Sequence, residues 1–268
     1  MRAFITISSG NTQGALGKIH PSRPDWYEEF YAAAMNNSMK VYEAEVTDQL
    51  NPYAYFHFYG KFRSTAFSLH VFLDLVWQIA SYKSKLFSAV RGKASEILEI
   101  GIGTGPNLKY YAGNGGMRVF GVDPNRKMEK YARAAAEDAG LPQENFEFLH
   151  AVGEDLPLAN SSMDAVIGTL ALCSVTDVKR TLGEVKRVLK PGGIYVFFEH
   201  VGAKDGTLLR VLQNILDPVQ QFVADGCHLT RDTAKLIAEA EFSQVDGRMI
   251  FVSYASLINP HVYGTASK

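Results

Sequence analysis

From Lys93 onward, short apolar runs alternate with segments whose apolar positions recur every three or four residues. Runs at 97–100, 117–122, 146–149, 165–168 and 194–199 have the length and composition of strands. Between them, residues 107–112, 126–139 and 178–189 keep helical spacing. Pro191-Gly192-Gly193 reads as a tight turn feeding the fifth strand. A helix is expected over 208–223 and another from Arg231, capped by Thr230, before two more β-like runs that end at Tyr263. The βαβ rhythm predicts a parallel sheet with right-handed crossovers.

Upstream the pattern changes. Trp26, Phe30, Ala33 and Met39 predict a helix from Asp25 to about Gln49, broken by Asn51-Pro52. Residues 50–81 carry only Lys61, Arg63 and Asp74 as charges and are crowded with aromatic side chains. Within them, 66–80 places His70, Asp74 and Gln78 at steps of four, one narrow polar stripe on an otherwise apolar helix. Fifteen residues rise about 22 Å, short of the roughly 30 Å hydrocarbon core, so no transmembrane span is expected. Peripheral membrane contact, a lid over a site and an ordinary buried helix all remain open for this segment. The chain divides into an N-terminus over 1–24, a helical extension over 25–92 and a main domain over 93–268.

Composition sets the setting. With 268 residues, 47% of them hydrophobic, the chain can bury a sizeable core, and a net charge of −1 gives no electrostatic footprint for nucleic acid. Two cysteines, Cys173 and Cys227, make no disulfide framework and suit a reducing compartment. Arg2, Lys18 and Arg23, with no acid before Asp25, lend residues 1–24 the flavour of a transit segment; a plain flexible terminus reads equally. The expected location is the cytoplasm or a plastid, not the secretory route. No oligomeric state follows from the sequence.

The stretch ILEIGIGTGPN (97–107) ends the first predicted strand in Gly101, Gly103 and Gly105, followed by Pro106. A dinucleotide fingerprint would need its third glycine at position 106, and no Lys-Ser/Thr follows to make a phosphate loop. Glu99, inside the strand, would repel a pyrophosphate and suits a cation. S-adenosylmethionine, an adenosine with a cationic tail, fits this chemistry. Asp123, at the end of the second strand and eighteen residues after Gly105, can accept both ribose hydroxyls.

With these residues in place, the chain resembles the class I S-adenosylmethionine-dependent methyltransferases, and more closely the methyltransferase-like 7 group of thiol S-methyltransferases with their plant relatives. The resemblance spans roughly 82–268 and rests on ILEIGIGTGPN, GEDLP with SMDAVIGTLALCSV (153–175), EVKRVLKPGG (184–193), FFEHV (197–201) and DGCHLTRDT (225–233). It implies an α/β, Rossmann-like fold: a seven-stranded, mostly parallel sheet with helices on both faces and an N-terminal helical extension. It implies S-adenosyl-L-methionine as cofactor, with Glu99, Gly101, Gly103, Gly105 and Asn107 at the methionine moiety and Asp123 and Pro124 at the ribose. Gly153 and Glu154 would face adenine, beside Val152 where many relatives carry an acid. Thr169 and Leu170 would flank the sulfonium. Animal members begin with a hydrophobic anchor, which this sequence does not show, and against the plant relatives 50–81 looks like an insertion.

A small-molecule acceptor is expected, a thiol first and a phenol, quinol or amine as alternatives. A methyltransferase scaffold turned to a non-methylating reaction is the rival from another class. Candidate bases are His200, or His228 with Asp225. Cys173, Cys227 and Trp77 are candidate substrate contacts, and Phe67, Phe72 and Phe222 add apolar lining that favours a small apolar acceptor. Adjacent Cys227 and His228 make a poor metal pair with no third ligand at useful spacing, so no metal is expected. Thr169-Leu170-Ala171-Leu172 stands where nucleic-acid amino-methylating enzymes carry Asn/Asp-Pro-Pro-aromatic.

Overall fold

The computed structural model describes residues 24–46, 79–112, 116–252 and 255–268. Its strands are β1 (Glu96–Ile100), β2 (Arg118–Val122), β3 (Phe146–Leu149), β4 (Met163–Thr169), β5 (Leu189–His200), β6 (Gln244–Ile250) and β7 (His261–Ser267). They form one seven-stranded sheet in the order β3-β2-β1-β4-β5-β7-β6. Pairing is parallel from β3 through β5, and β7 runs antiparallel to both β5 and β6.

The sheet is covered on both sides, and β1 shows why Ile97, Leu98 and Ile100 are all apolar. Side chains alternate across a strand. Ile97 joins Val119, Ala165, Ile167 and Phe198 in one core, with Phe87, Tyr111 and Ala132 from overlying helices. Leu98 and Ile100 join Phe120, Val122, Val166 and Phe197 in the other, under Leu182, Val185 and Ile237. Each such side chain, fully buried, contributes on the order of 1.5–3 kcal/mol. The helices are α1 (Asp25–Val46), a helical segment over 79–87, α2 (Leu108–Tyr111), α3 (Glu129–Asp138), α4 (Val178–Val188), α5 (Leu208–Val223) and α6 (Thr233–Ala238).

Several boundaries differ from the sequence expectation. The helix expected from 126 opens as a tight 3-10 turn, Arg126–Met128, stopped by the Asn125 side chain accepting from Lys127 N. Pro191-Gly192-Gly193 lies within the bounds of β5, where the pairing shifts register between Met163 and Ala165. The last helix is capped by Asp232, whose carboxylate accepts from Lys235 N, and not by Thr230. Thr230 lies before the helix, and its N–H donates to Asp217 Oδ1 at 3.3 Å. A short carboxylate just before the first turn is the stronger cap.

α1 rests on the start of α3. Ala32 is fully buried, Asn125 Nδ2 donates to Glu28 O at 3.0 Å, and Glu29 pairs with Lys130 at 2.6 Å. The ion pair is exposed and screened by solvent, so it contributes little. Among the described residues, no helix is long and apolar enough to cross a membrane. The 66–80 stripe, the 1–24 segment up to residue 23, and Trp77, Phe67 and Phe72 lie outside the described residues.

Strand order reverses between β1 and β4: the chain leaves one toward β2 and the other toward β5, so the turns at their carboxyl ends open a crevice. The β1 turn needs glycine where it meets α3. Gly105 has φ +81°, and a Cβ there would stand 2.8 Å from Leu108 Cδ1 and 2.9 Å from Ala135 Cβ. Gly105→Ala is therefore expected to destabilise the protein by about 1–3 kcal/mol, from backbone strain and overpacking together. Urea denaturation of the two proteins checks this, and an unchanged midpoint would mean that the turn relaxes freely.

Candidate active site

A cavity of about 360 Å³ fills the crevice, within the size range of small-molecule sites. Its floor is the glycine turn. Gly101, Gly103 and Asn107 line it; Gly103 has φ +52°, and a Cβ there would meet nothing within 4 Å, so this side of the turn stays open for a ligand. Glu99 lies just beneath, almost fully buried. Its carboxylate accepts from Asn107 Nδ2 at 2.6 Å and from Tyr111 OH at 2.5 Å. Asn107 Nδ2 also donates to Thr169 Oγ1 at 2.7 Å, and its Oδ1 accepts from Lys83 Nζ at 2.8 Å. Burial raises the Glu99 pKa to about 6, against the hydrogen bonds from Tyr111 and Asn107. Burial likewise lowers Lys83 to about 8, with Glu99 opposing.

Asp123 ends β2 beside this turn. Its Oδ2 accepts from Gly103 N at 3.0 Å and its Oδ1 from Asn125 N at 2.9 Å. Burial raises its pKa to about 7 despite those two bonds. Pro124 follows on the cavity wall. Gly153 and Glu154 line the wall beyond; Glu154 Oε1 accepts from Thr176 N at 2.7 Å and Asp177 N at 3.0 Å, holding the loop that enters α4. Thr169 and Leu170 close the cavity at the end of β4. Leu170 has φ +54°, an uncommon conformation for a branched side chain, fixed by its N–H donating to Phe198 O at 2.8 Å.

The far end of the cavity is built by three loops. Cys173, His200 and Cys227 line it, all buried, and one ligand atom from each lies within 4.8 Å of the others. This corrects the expectation that Cys227 has no third ligand near it. The partners are Cys173 and His200, each 27 residues from the next, and no short spacing announces them. His200 Nε2 is buried and has no hydrogen-bond partner among the described residues. Burial holds its pKa to about 4, with the Leu229 backbone opposing. A hydrogen bond from Cys173 lowers the Cys227 pKa, while Cys173 itself is held up.

His228 sits elsewhere. From sequence it is expected to pair with Asp225; its Nδ1 lies instead 3.5 Å from Asp217 Oδ2, half-buried and outside the cavity lining. Asp225, with φ +48°, faces the cavity without it. The DGCHLTR segment works as a clamp. His228 N donates to Cys173 O at 2.9 Å, and Arg231 Nη1 donates to Leu172 O at 2.6 Å and Val175 O at 2.7 Å. Glu199 accepts from Ala171 N and Leu172 N, both at 3.2 Å, on the other side of the same loop.

Lys83 is the site residue that sequence reasoning does not single out. It belongs to no turn motif and reaches Asn107 from the helix over 79–87. Phe222, expected as apolar lining, is largely exposed on α5 and touches the Tyr27 ring at 6.5 Å between centroids.

The family of methyltransferase domains matches residues 98–197, from β1 into β5. The thiol S-methyltransferase TMT1B of Rattus norvegicus is 41% identical over 199 residues, which is 71% of this chain and 80% of that protein. The thiol S-methyltransferase TMT1A of Homo sapiens is 42% identical over 200 residues, with the same coverage. Among solved structures, the YcgJ protein of Bacillus subtilis superposes with a TM-score of 0.56 at 17% identity, covering 70% of this chain and 98% of that one. That likeness shows the shared fold. This chain belongs to the class I S-adenosylmethionine-dependent methyltransferases, in the family of the thiol S-methyltransferases.

Proposed function

We propose that the protein transfers a methyl group from S-adenosylmethionine to the sulfur of a small apolar thiol held at the Cys173–His200–Cys227 end of the cavity. The observation that carries this reading is that one continuous cavity runs from the open glycine turn to that sulfur-rich end. The curated relatives named as thiol S-methyltransferases support sulfur as the acceptor atom.

The cofactor supplies a methyl group already activated on a sulfonium, so the protein's part is to align, exclude water and favour the acceptor anion. Asp123 accepts from the ribose hydroxyls. Lys83 offers its ammonium to the methionine carboxylate, and Gly103 leaves room for the tail. Glu99 orders Asn107 and the turn from below. Gly153 and Glu154 flank adenine, and Thr169 and Leu170 set the depth of the sulfonium.

His200 is the candidate base best placed by geometry, and its acidity limits that role. Its pKa of about 4 keeps it neutral at pH 7, yet moving a proton to it from a thiol of pKa about 8.5 costs about 6 kcal/mol. The attacking sulfur therefore reaches the cavity already ionised, in an environment that prefers the anion. Arg231 contributes to that preference: its charge acts on both cysteine sulfurs at this end.

Two outcomes follow. The Asp123 pKa of about 7 means that its acceptor form is complete above that pH and is lost as pH falls through it. Calorimetric affinity for S-adenosylhomocysteine is expected to drop between pH 8 and 5.5. Asp123→Asn should weaken it by about 1–3 kcal/mol at pH 8 and remove most of the slope; equal affinities would detach Asp123 from the cofactor. In turnover assays with S-adenosylmethionine, alkyl and aryl thiols are expected to give S-methyl products while matched phenols and amines give none. O- or N-methyl product at comparable rates would overturn the choice of sulfur.

A further inference from the structure

The geometry points to a zinc site formed by Cys173, His200 and Cys227, whose fourth position opens on the cofactor cavity and takes the acceptor's sulfur. This rests on the reading of the chain as a thiol methyltransferase and says how the acceptor is held.

Two sulfurs and one imidazole nitrogen lie within 4.8 Å of one another. Zinc in a tetrahedral site, with Zn–S about 2.3 Å and Zn–N about 2.0 Å, spaces its ligand atoms roughly 3.5–3.8 Å apart. The trio would draw together by about 1 Å to hold such an ion. Cys2His is a donor set that zinc uses in catalytic sites, where three protein ligands leave one position for water or substrate.

Burial supplies the second, independent observation. His200 is about 1% exposed, and its Nε2 has no hydrogen-bond partner among the described residues. A buried ring nitrogen without a partner is costly unless something fills the role. A cation between the two sulfurs does so.

The three ligands are also held from three directions. Cys173 follows β4, His200 ends β5, and Cys227 lies in the loop after α5. The clamp joins those loops: His228 N donates to Cys173 O, and Arg231 Nη1 donates to Leu172 O and Val175 O. All three ligands line the same cavity as Gly103 and Leu170, so the open position faces the cofactor and not bulk solvent.

The chemistry balances. The acceptor reaches the site as its thiolate, its proton already lost to solvent, and the zinc would hold that thiolate. A lone pair on that sulfur forms the new S–C bond. The methyl–sulfonium bond breaks, and its electron pair stays on the departing thioether. One thiolate and one sulfonium become two neutral thioethers, and the zinc and its three ligands are unchanged. A neutral thioether is the weaker ligand, which releases product.

The test uses the full-length protein, reduced and metal-stripped, titrated with zinc against a chromophoric chelator and with cobalt(II) as a spectroscopic stand-in. One equivalent of zinc is expected, with an intense tetrahedral cobalt spectrum and a thiolate-to-cobalt band that changes when an alkyl thiol is added. Cys173→Ser, Cys227→Ser and His200→Ala should each weaken zinc at least about a hundredfold, beyond an outer-shell change. His228→Ala should leave zinc affinity as it is. If the variants fail to fold, zinc protection of the two wild-type cysteines from an alkylating reagent reads the same site. Wild-type protein that methylates thiols but binds no zinc, or binds it as well after both cysteines are replaced, overturns the zinc site and leaves the methyltransferase reading standing. Stoichiometric zinc on those ligands without any affinity for S-adenosylhomocysteine would support the metal site and sink the methyltransferase reading.

Discussion

The site depends on one buried amide. Asn107 Nδ2 donates to Glu99 and to Thr169, and its Oδ1 accepts from Lys83. Those partners come from β1, β4 and the helix over 79–87, so a single side chain joins both turns of the crevice to the N-terminal part of the chain. The amide hydrogens and oxygen are all used, which is what a buried polar group requires. Glu99 is buried and Lys83 partly so, and an uncompensated carboxylate at Glu99 would cost several kcal/mol. The network is thus sound only when complete. Losing Asn107 would leave a carboxylate and an ammonium facing each other across a gap, and the glycine turn would lose its anchor.

How much of this is legible in sequence depends on distance along the chain. Strands β1 to β5 are readable because burial on two faces makes them continuously apolar, and helix α4 because Val178, Leu182 and Val185 mark one stripe. Glu99 and Asp123 are readable because an acid at a strand end beside glycines is out of place unless it binds something. The cap of the last helix misleads because Thr230 and Asp232 are both good capping residues, and the helix starts at the second of them. The pairing of His228 misleads because Asp225 is its neighbour in sequence, while Asp217 is its neighbour across the loop. Lys83 is invisible because it belongs to no motif and reaches Asn107 only in the folded chain; Cys173, His200 and Cys227 are each legible as candidates, but their grouping is not, since each stands 27 residues from the next.

The DGCHLTR segment shows how a family motif can act mainly through its backbone. Its most informative members, Arg231 and His228, spend their bonds on the carbonyls of Leu172, Val175 and Cys173. They fix the loop that carries Leu170 and Cys173, and that loop already carries a residue at φ +54°. Strain of this kind persists only where neighbours over-determine the conformation. Glu199 adds to this from below, accepting two N–H groups of the same loop, and burial lifts its pKa to about 8. The effort spent on one short loop makes sense if its position sets the line between donor and acceptor.

That line explains the character of the cavity. Methyl transfer from a sulfonium to a thiolate consumes one positive and one negative charge, so the charge separation falls along the reaction path. Water stabilises the separated charges of the starting pair more than the neutral products, and removing it favours the transfer. Ile100, Val122, Val152 and Leu170 supply the dry middle of the cavity. The polar groups stand at its two ends, Asp123 and Lys83 at one and the cysteines with His200 at the other. Keeping water out of such a cavity strengthens the attraction between a sulfonium and a thiolate.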